Sequence, residues 1–347
     1  MAKRSDNLVG LEIDSRGVTA AEVAVDGHIS VRRAATCALD DGIVRDGEIS
    51  DVEGLANALR ALWKANKGLS KRIRVGLASQ KIVVRVMELP PLADPKELDT
   101  AVRFHAQDHV PMALDQAVLD FQPLDVVDTG AGPRQRVLLV AARREMVDRM
   151  LAAVRGAGLR PEGIDLSAFA MIRALYRPDV SDDGAVLYLS IGGLTNMAVA
   201  QGPMCLYTRT SSRGIEGVAI ELAERRGLTL EHARGWLEHV GLEHPVELVE
   251  GDPEIIVAAR QALLEGGRRI AAEIHSNLDF HRTMDGGVPV RSAVLTGPAA
   301  SIPGFAAALS AHLGLPVETG KVRGTSDGLE PERAAIAAGL AVAEVPA

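Results

Sequence analysis

The sequence predicts an α/β protein of two related halves, with a small α+β subdomain inserted into the first half. Each half opens with a strand, a turn containing Gly or Asp, and a second strand, at residues 8–25 and again at residues 185–201. Such an internal repeat of a sequence pattern indicates that the two halves share one architecture. Between the two hairpins, Pro90-Pro91 introduces a helix, two strands and a further helix, which is typical of a small α+β unit.

Length, cysteine content and charge are those of an ordinary intracellular globular protein. The 347 residues suggest about two domains. The two cysteines exclude a disulfide-stapled secreted fold, and a reducing, cytoplasmic compartment is expected. A net charge of −8 and an aromatic content of 3% argue against a nucleic-acid surface, which needs clustered cations and stacking rings.

No segment is expected to cross or enter a membrane. Residues 184–208 carry no charge and are long enough to span a bilayer, but Gly192-Gly193 and Gly202-Pro203 interrupt them. The pattern therefore favours buried strands joined by turns. Lys3 and Arg4 are not followed by an apolar stretch, so no signal peptide is expected.

The first half is predicted to begin with a three-stranded meander, followed by a helix and a fourth strand. Asp26-Gly27 is a strong signal for the second turn of the meander. The helix has apolar residues at helical spacing and Ser50 or Asp51 as its N-cap. The predicted strands cover residues 8–13, 18–25, 29–37 and 73–78, and the helix covers residues 51–65.

The inserted unit begins with a well-marked helix. Asp94 is the expected N-cap, Pro95 takes the first helical position and Glu97 completes a capping box. This helix is predicted to run to about residue 107. Strands at 117–127 and 135–142, a helix at 145–155 and another from 167 to 175 follow.

The second half repeats the meander and then becomes mainly helical. Strands are predicted at residues 185–191, 194–201, 204–210 and 294–296, and helices at 217–226, 230–240, 253–283, 303–313 and 331–343. The resulting domain boundaries are 1–84 and 161–183 for the first half, 85–160 for the insertion, 184–330 for the second half with a helical subdomain at about 214–290, and 331–347 for a C-terminal helix packed on the first half.

The glycine-containing turns suggest a phosphate clamp. Two facing hairpin turns can direct backbone N–H groups at an anion, and glycine lets the backbone approach closely. A third turn, at residues 295–300, leads into a helix and can present its N-terminus to a nucleoside. Each turn alone is weak evidence, but their order and duplication together indicate a nucleotide cleft.

The residues of these turns resemble the actin-like ATPase superfold and, within it, the PilM family of type IV pilus assembly proteins. The similar segments are 9–15 and 189–195 for the two phosphate hairpins, 295–297 with 302–305 for the adenosine turn, and 88–91, 101–112 and 120–121 in the insertion. The insertion, with its helix and Val110-Pro111 exit, is the most family-specific part.

The resemblance implies a cytoplasmic scaffold that docks the N-terminal cytoplasmic segment of a PilN-like membrane protein in a groove between the first half and the insertion. It further implies indirect links to a PilO-like protein and to pilus motor ATPases, with membrane contact only through the partner. The resemblance does not determine whether the protein forms homo-oligomers. Phe104, Val110 and Met112 are candidates for the groove, the alternative being that they pack in the small core of the insertion.

The resemblance also implies a nucleotide site with ATP and Mg²⁺ as its only cofactors. Glu12 could orient a Mg²⁺-bound water, and no residue is assigned a catalytic role. The candidate nucleotide-binding residues are Glu12, Asp14, Ser15, Arg16, Gly192, Gly193, Thr195, Gly297 and Pro298.

Four departures from the family pattern predict a degenerate cleft. Asp14 places a carboxylate where a glycine normally lets the phosphates approach, and a like charge beside a triphosphate is unfavourable. Ser190 replaces a carboxylate that would organise Mg²⁺ and water. Pro298 removes one N–H donor from the adenosine turn. The helix that includes Arg234 lacks the Glu and Lys contacts that are usual in the family.

Two other functions are compatible with the superfold. An active actin-like ATPase that polymerises is the main alternative to a scaffold. A sugar kinase would need a catalytic Asp near the second hairpin, and Ser190 argues against it.

Overall fold

The computed structural model describes residues 8–130, 132–178, 184–284, 287–324 and 330–344. The N-terminal residues, on which the signal-peptide prediction rests, and the last three residues of the predicted C-terminal segment lie outside the described residues. No helix within the described ranges is both long enough and apolar enough to cross a membrane. The uncharged stretch forms three strands of a buried sheet instead, as its interrupting glycines predict.

The first half begins with the predicted meander. Three antiparallel strands are followed by a pair of two-residue strands, a helix and a fourth strand of the main sheet. These elements are β1 (Val9–Asp14), β2 (Gly17–Val25), β3 (Ile29–Ala38), β4 (Val44–Arg45), β5 (Glu48–Ile49), α1 (Val52–Ala65) and β6 (Arg72–Leu77). Asp51 caps α1 by accepting a hydrogen bond from the Gly54 N–H at 2.9 Å.

The insertion forms its own three-stranded antiparallel sheet, in the spatial order β7-β9-β8. Its elements are β7 (Val83–Leu89), α2 (Pro95–His109), a 3₁₀ turn (Leu114–Gln116), β8 (Ala117–Thr129) and β9 (Gly132–Arg143). Val102 and Ala106 of α2 pack on Leu139 of β9 in a small separate core. The predicted cap is confirmed, since Asp94 accepts from the Lys96 N–H at 2.9 Å.

The chain returns to the first half sooner than the sequence analysis predicted. The elements that follow the insertion are α3 (Arg144–Gly156), β10 (Arg160–Leu166) and α4 (Ser167–Leu175). Helix α3 packs on α1 through Met150 and Val154, and β10 pairs in parallel with β6. The inserted subdomain, predicted at residues 85–160, thus ends at Arg143, because the apolar face of α3 covers the core of the first half.

The second half repeats the sheet of the first. Its elements are β11 (Ala185–Ile191), β12 (Thr195–Gln201), β13 (Met204–Ser211), α5 (Ile215–Arg226), α6 (Leu230–Val240), α7 (Pro253–Thr283), β14 (Val290–Thr296), α8 (Phe305–Leu313) and β15 (Val317–Thr319). The spatial order β13-β12-β11-β14-β15 corresponds strand for strand to β3-β2-β1-β6-β10. The duplication inferred from the two hairpins is therefore present in the topology.

A short C-terminal helix joins the two halves. The predicted 331–343 helix is a 3₁₀ turn (Pro331–Arg333) followed by α9 (Ala335–Leu340). Helix α9 approaches β1 so closely that a Cβ on Gly10 would lie 1.8 Å from the carbonyl oxygen of Ala337. Together with α4 it fills a core that also receives residues from both sheets.

Candidate functional site

A cleft of about 370 Å³ lies between the halves and is lined by the β1–β2 turn and the turn after β14. The β11–β12 turn adjoins it, since the Gly193 N–H donates to Asp14. Of the residues that the resemblance assigned to nucleotide binding, the structure places Glu12, Asp14, Arg16, Gly297 and Pro298 in the cleft wall. Ser15, Gly192, Gly193 and Thr195, which the resemblance also assigned, are not among the residues that line the cleft.

The carboxylate of Asp14 lies between the two hairpins. The N–H of Gly193 donates to its Oδ2 at 2.8 Å, and the N–H of Ser15 donates to its Oδ1 at 2.7 Å. Removal from solvent raises the pKa of Asp14, while these two N–H donors and Arg16 act in the opposite direction. The amide that the second hairpin would offer to a phosphate is thus bonded to a side chain of the first half.

The glycine pair of the second hairpin is required by this contact. A Cβ on Gly192 would lie 2.6 Å from Asp14 Oδ2, and a Cβ on Gly193 would lie 2.0 Å from Ser15 Oγ. Any larger residue would force the side chain of Asp14 or Ser15 to move and would disturb this contact. The space that glycine leaves free is occupied here by the side chains of Asp14 and Ser15.

Glu12 shares the cleft with Asp14 and is affected by it. Burial and, to a smaller extent, the charge of Asp14 raise the pKa of Glu12 to about 8. At neutral pH the folded protein therefore keeps a proton on Glu12.

Arg16 connects the first hairpin to the helices of the second half. Its Nε lies 3.4 Å from Glu216 Oε2 of α5, and its Nη2 lies 3.6 Å from Glu238 Oε1 of α6. Glu216 also pairs with Arg234, and Glu238 with Arg333 Nη2 at 2.6 Å. The three arginines of the cleft are thus paired with carboxylates of the protein.

The remaining donors of the expected site are also bonded within the protein. The N–H of Gly297 donates to the carbonyl oxygen of Glu332 at 2.9 Å, and the hydroxyl of Thr296 donates to the same oxygen. Thr195 is buried, and its hydroxyl donates to the carbonyl of Arg213 at 2.6 Å. In this arrangement the amides of Gly193 and Gly297 and the hydroxyl of Thr195 each donate to an acceptor of the protein itself.

A second concavity lies between the insertion and the first half, with a volume of about 960 Å³. We call it the insertion groove. Its apolar floor includes Val52, Pro111 and Met112. Its lining residues are Val52, Pro111, Met112, Asp115, Gln116, Arg143, Arg144, Glu145, Asp148, Arg149 and Ala152.

The three partner-groove candidates lie in different environments. Met112 is half-buried and lines the insertion groove. Phe104 is 68% exposed on the surface of α2 and is not among the groove residues. Val110 was expected at an exposed helix exit, but it is only 5% exposed, because its N–H closes α2 on the Ala106 carbonyl and its side chain packs in the core of the insertion.

Several residues that shape these sites escaped the sequence analysis. Arg144 holds one wall of the groove by donating to the Ala117 carbonyl at 2.8 Å, and Arg149 holds the other by donating to the Ile49 carbonyl at 2.7 Å. Glu216 and Glu238 complete the ion pairs of the cleft. No local motif marks such residues, since their partners are distant in sequence.

Comparison with known proteins agrees with this architecture. The family model described as type IV pilus assembly protein PilM matches residues 10–322. A curated relative, the cell division protein FtsA of Streptococcus pneumoniae, is 24% identical over 303 residues, which are 76% of this chain and 64% of that protein. The chain therefore spans less than two thirds of the length of that relative.

Solved structures show the same fold. A PilM-PilN type IV pilus biogenesis complex is similar with a TM-score of 0.80 and 24% identity, over 97% of this chain and 98% of the other. The ethanolamine utilization protein EutJ of Carboxydothermus hydrogenoformans has a TM-score of 0.55 and 16% identity, over 96% and 88% of the two chains. ADP-bound MreB5 of Spiroplasma citri has a TM-score of 0.53 and 11% identity, over 96% and 94%.

These likenesses establish the actin-like ATPase fold, with its two related halves. The family match covers most of the chain and includes both hairpins and the whole insertion. The chain belongs to the family of type IV pilus assembly protein PilM.

Proposed function

We propose that this protein is a scaffold of type IV pilus assembly that docks the N-terminal cytoplasmic segment of a PilN-like membrane protein in the insertion groove. The observation that carries the proposal is the groove itself, which lies between the first half and the insertion. A similar solved structure is described as a PilM-PilN complex, which supports the choice of partner.

The chemistry of the groove suits an extended peptide. Met112 on its floor is unbranched and adapts to apolar side chains of different shape. Exposed charges of both signs line it, namely Arg143, Glu145 and Asp148. A segment with apolar anchors and flanking charges would therefore find complementary contacts.

The partner would also determine where the protein works. A PilN-like membrane protein would hold the scaffold at the cytoplasmic face of the membrane. Through this partner the scaffold would reach a PilO-like protein and the pilus motor ATPases.

Binding of a fluorescent peptide with the sequence of the PilN-like N-terminal segment tests the proposal. We expect Met112→Asp to weaken binding at least ten-fold, because it places a charge on the apolar floor. Leu248→Asp is the matched control, since Leu248 is 72% exposed on the second half and outside the groove. Equal affinity of wild type and Met112→Asp, with both proteins folded by circular dichroism, would contradict docking in this groove.

We further propose that the cleft is that of a pseudo-ATPase, which lacks hydrolysis. Its anion-binding donors are engaged within the protein, and Ser190 provides no carboxylate for Mg²⁺ and water. Calorimetric titration with Mg-ATP is expected to give no saturable heat. Magnesium-dependent phosphate release that Ser15→Ala or Thr195→Ala abolishes, together with filaments that sediment, would instead support an active polymerising ATPase.

A further inference from the structure

We propose that the Asp14 carboxylate fills the anion site between the two hairpins, so that a side chain of the protein replaces a phosphate and holds the halves together. We call this contact, formed by Asp14 with the amides of Ser15 and Gly193, the Asp14 latch. The inference deepens the pseudo-ATPase proposal and rests on it only for the identity of the cleft.

The latch combines a local hydrogen bond, from the N–H of the residue after Asp14, with one from the other half of the protein. Two backbone N–H groups, one from each hairpin, converge on the two oxygens of one carboxylate at 2.7 and 2.8 Å. Converging amides of this kind form anion-binding concavities in proteins. Because Gly193 lies 179 residues from Asp14 in the chain, the contact joins the first half to the second.

The latch leaves no room for a second anion at the same amides. The Asp14 oxygens lie 2.6 and 2.3 Å from the positions that a Cβ would take on Gly192 and Gly193. A phosphate oxygen at the Gly193 amide would therefore overlap the carboxylate. It would also bring like charges into a site with little solvent, where their repulsion is strong.

The β1–β2 turn makes a second contact with the second half of the protein. Arg16, two residues after Asp14, reaches Glu216 and Glu238 of the helical part of the second half. One turn of the first half is thus tied to the second half by a carboxylate and by a guanidinium. These contacts hold the first hairpin against both the second hairpin and the helices of the second half.

The chemical consequence is a latent site for phosphate-type anions. Asp14→Gly removes the carboxylate and leaves the amides of both hairpins directed into the vacated space. Asp14→Asn is the control of equal size: its single side-chain oxygen can still accept from Gly193 and the side chain still fills the space, although its NH2 group cannot accept from the Ser15 N–H. Asp14→Ser is a second opening variant in case the glycine substitution prevents folding.

Two measurements test the latch. Calorimetric titration with inorganic pyrophosphate is expected to show binding to Asp14→Gly at least ten-fold tighter than to wild type or Asp14→Asn. In protein labelled with ¹⁵N-glycine, the Gly193 amide is expected to exchange with solvent at least ten-fold faster in Asp14→Gly than in the other two proteins. Added pyrophosphate should slow that exchange again.

Either of two results would overturn the inference. One is an equal exchange rate of the Gly193 amide in wild type and Asp14→Gly. The other is pyrophosphate binding to wild type as tight as to Asp14→Gly. The exchange of the Gly193 amide is measured without nucleotide, so binding or hydrolysis of Mg-ATP would contradict the pseudo-ATPase proposal and leave this test of the latch unchanged.

Discussion

Two carboxyl groups on one strand dominate the chemistry of the cleft. Glu12 and Asp14 are two residues apart on β1 and therefore lie on the same face of the strand. They share an environment with little solvent, yet only Asp14 receives hydrogen bonds from both hairpins. Glu12 keeps its proton because an ionised form would face desolvation and the charge of Asp14.

The raised pKa of Glu12 predicts a loss of stability as the pH increases. The unfolded chain releases this proton near pH 4.5, whereas the folded protein holds it to about pH 8. Between these values the unfolded state gains by deprotonation, so the free energy of unfolding falls with rising pH. Below pH 4.5 both states are protonated, and above pH 8 the full loss is present.

Glu12→Gln removes this effect and provides the measurement. Urea unfolding of wild type and Glu12→Gln at pH 5 to 9 gives the difference in their free energies of unfolding. We expect the wild type to lose at least about 1 kcal/mol relative to the variant between pH 5 and pH 8, and little more above that pH. A difference that stays constant from pH 5 to pH 8 would contradict the assigned environment of Glu12.

The sequence predicted a carboxylate at Asp14 but not the group that it contacts. The turn after β1 and the unusual carboxylate of Asp14 can be read from neighbouring residues. The bond to Gly193 cannot, because it depends on how two halves of the chain are placed against each other. The same applies to Glu216 and Glu238, which carry no local signal of their contact with Arg16.

The insertion is the element on which partner docking depends. It has its own core, in which Leu139 of β9 is fully buried against α2. Met112, on the floor of the insertion groove, packs against this same core. The shape of the groove therefore depends on the packing of a small subdomain.

Loss of this core is expected to reduce both stability and docking. Leu139→Ala should lower the free energy of unfolding by about 2–5 kcal/mol, because it removes buried methyl groups and leaves a cavity. Val126→Ala is the control, since Val126 is 54% exposed on β8 and should change stability by about 0.5 kcal/mol or less. Urea unfolding and peptide affinity are measured on both variants, and equal effects of the two substitutions would contradict the assigned core.

Elements with strong local signals were the ones that could be predicted. The caps Asp51 and Asp94 each accept a backbone hydrogen bond at the start of a helix, as their sequence context indicates. Strands β7 and β10 were not predicted, because they are defined by pairing with β9 and β6, which are distant in the chain. The return of α3 to the first half was missed for the same reason.

At the scale of the whole molecule, a third core makes the two halves interdependent. It combines Ile29 of the first sheet, Tyr188 of the second sheet, Met171 of α4 and Leu340 of α9. The repeat of one sheet topology in both halves could be inferred from the two hairpins. A C-terminal helix on the first half was predicted, but its packing against the second sheet could not be, since α9 is only six residues long and is fixed by packing rather than by propensity.

The shared core predicts that both halves unfold together. Leu340→Ala should lower the free energy of unfolding by about 2–5 kcal/mol, whereas Leu248→Ala, the same change at a residue that is 72% exposed, should have little effect. Trp63 lies in the core of the first half and Trp236 packs on that of the second, so Trp63→Phe and Trp236→Phe proteins each report one half by fluorescence. We expect coincident urea transitions from the two reporters, shifted equally by Leu340→Ala. Separate transitions, or a shift seen by one reporter alone, would contradict a core that joins the halves.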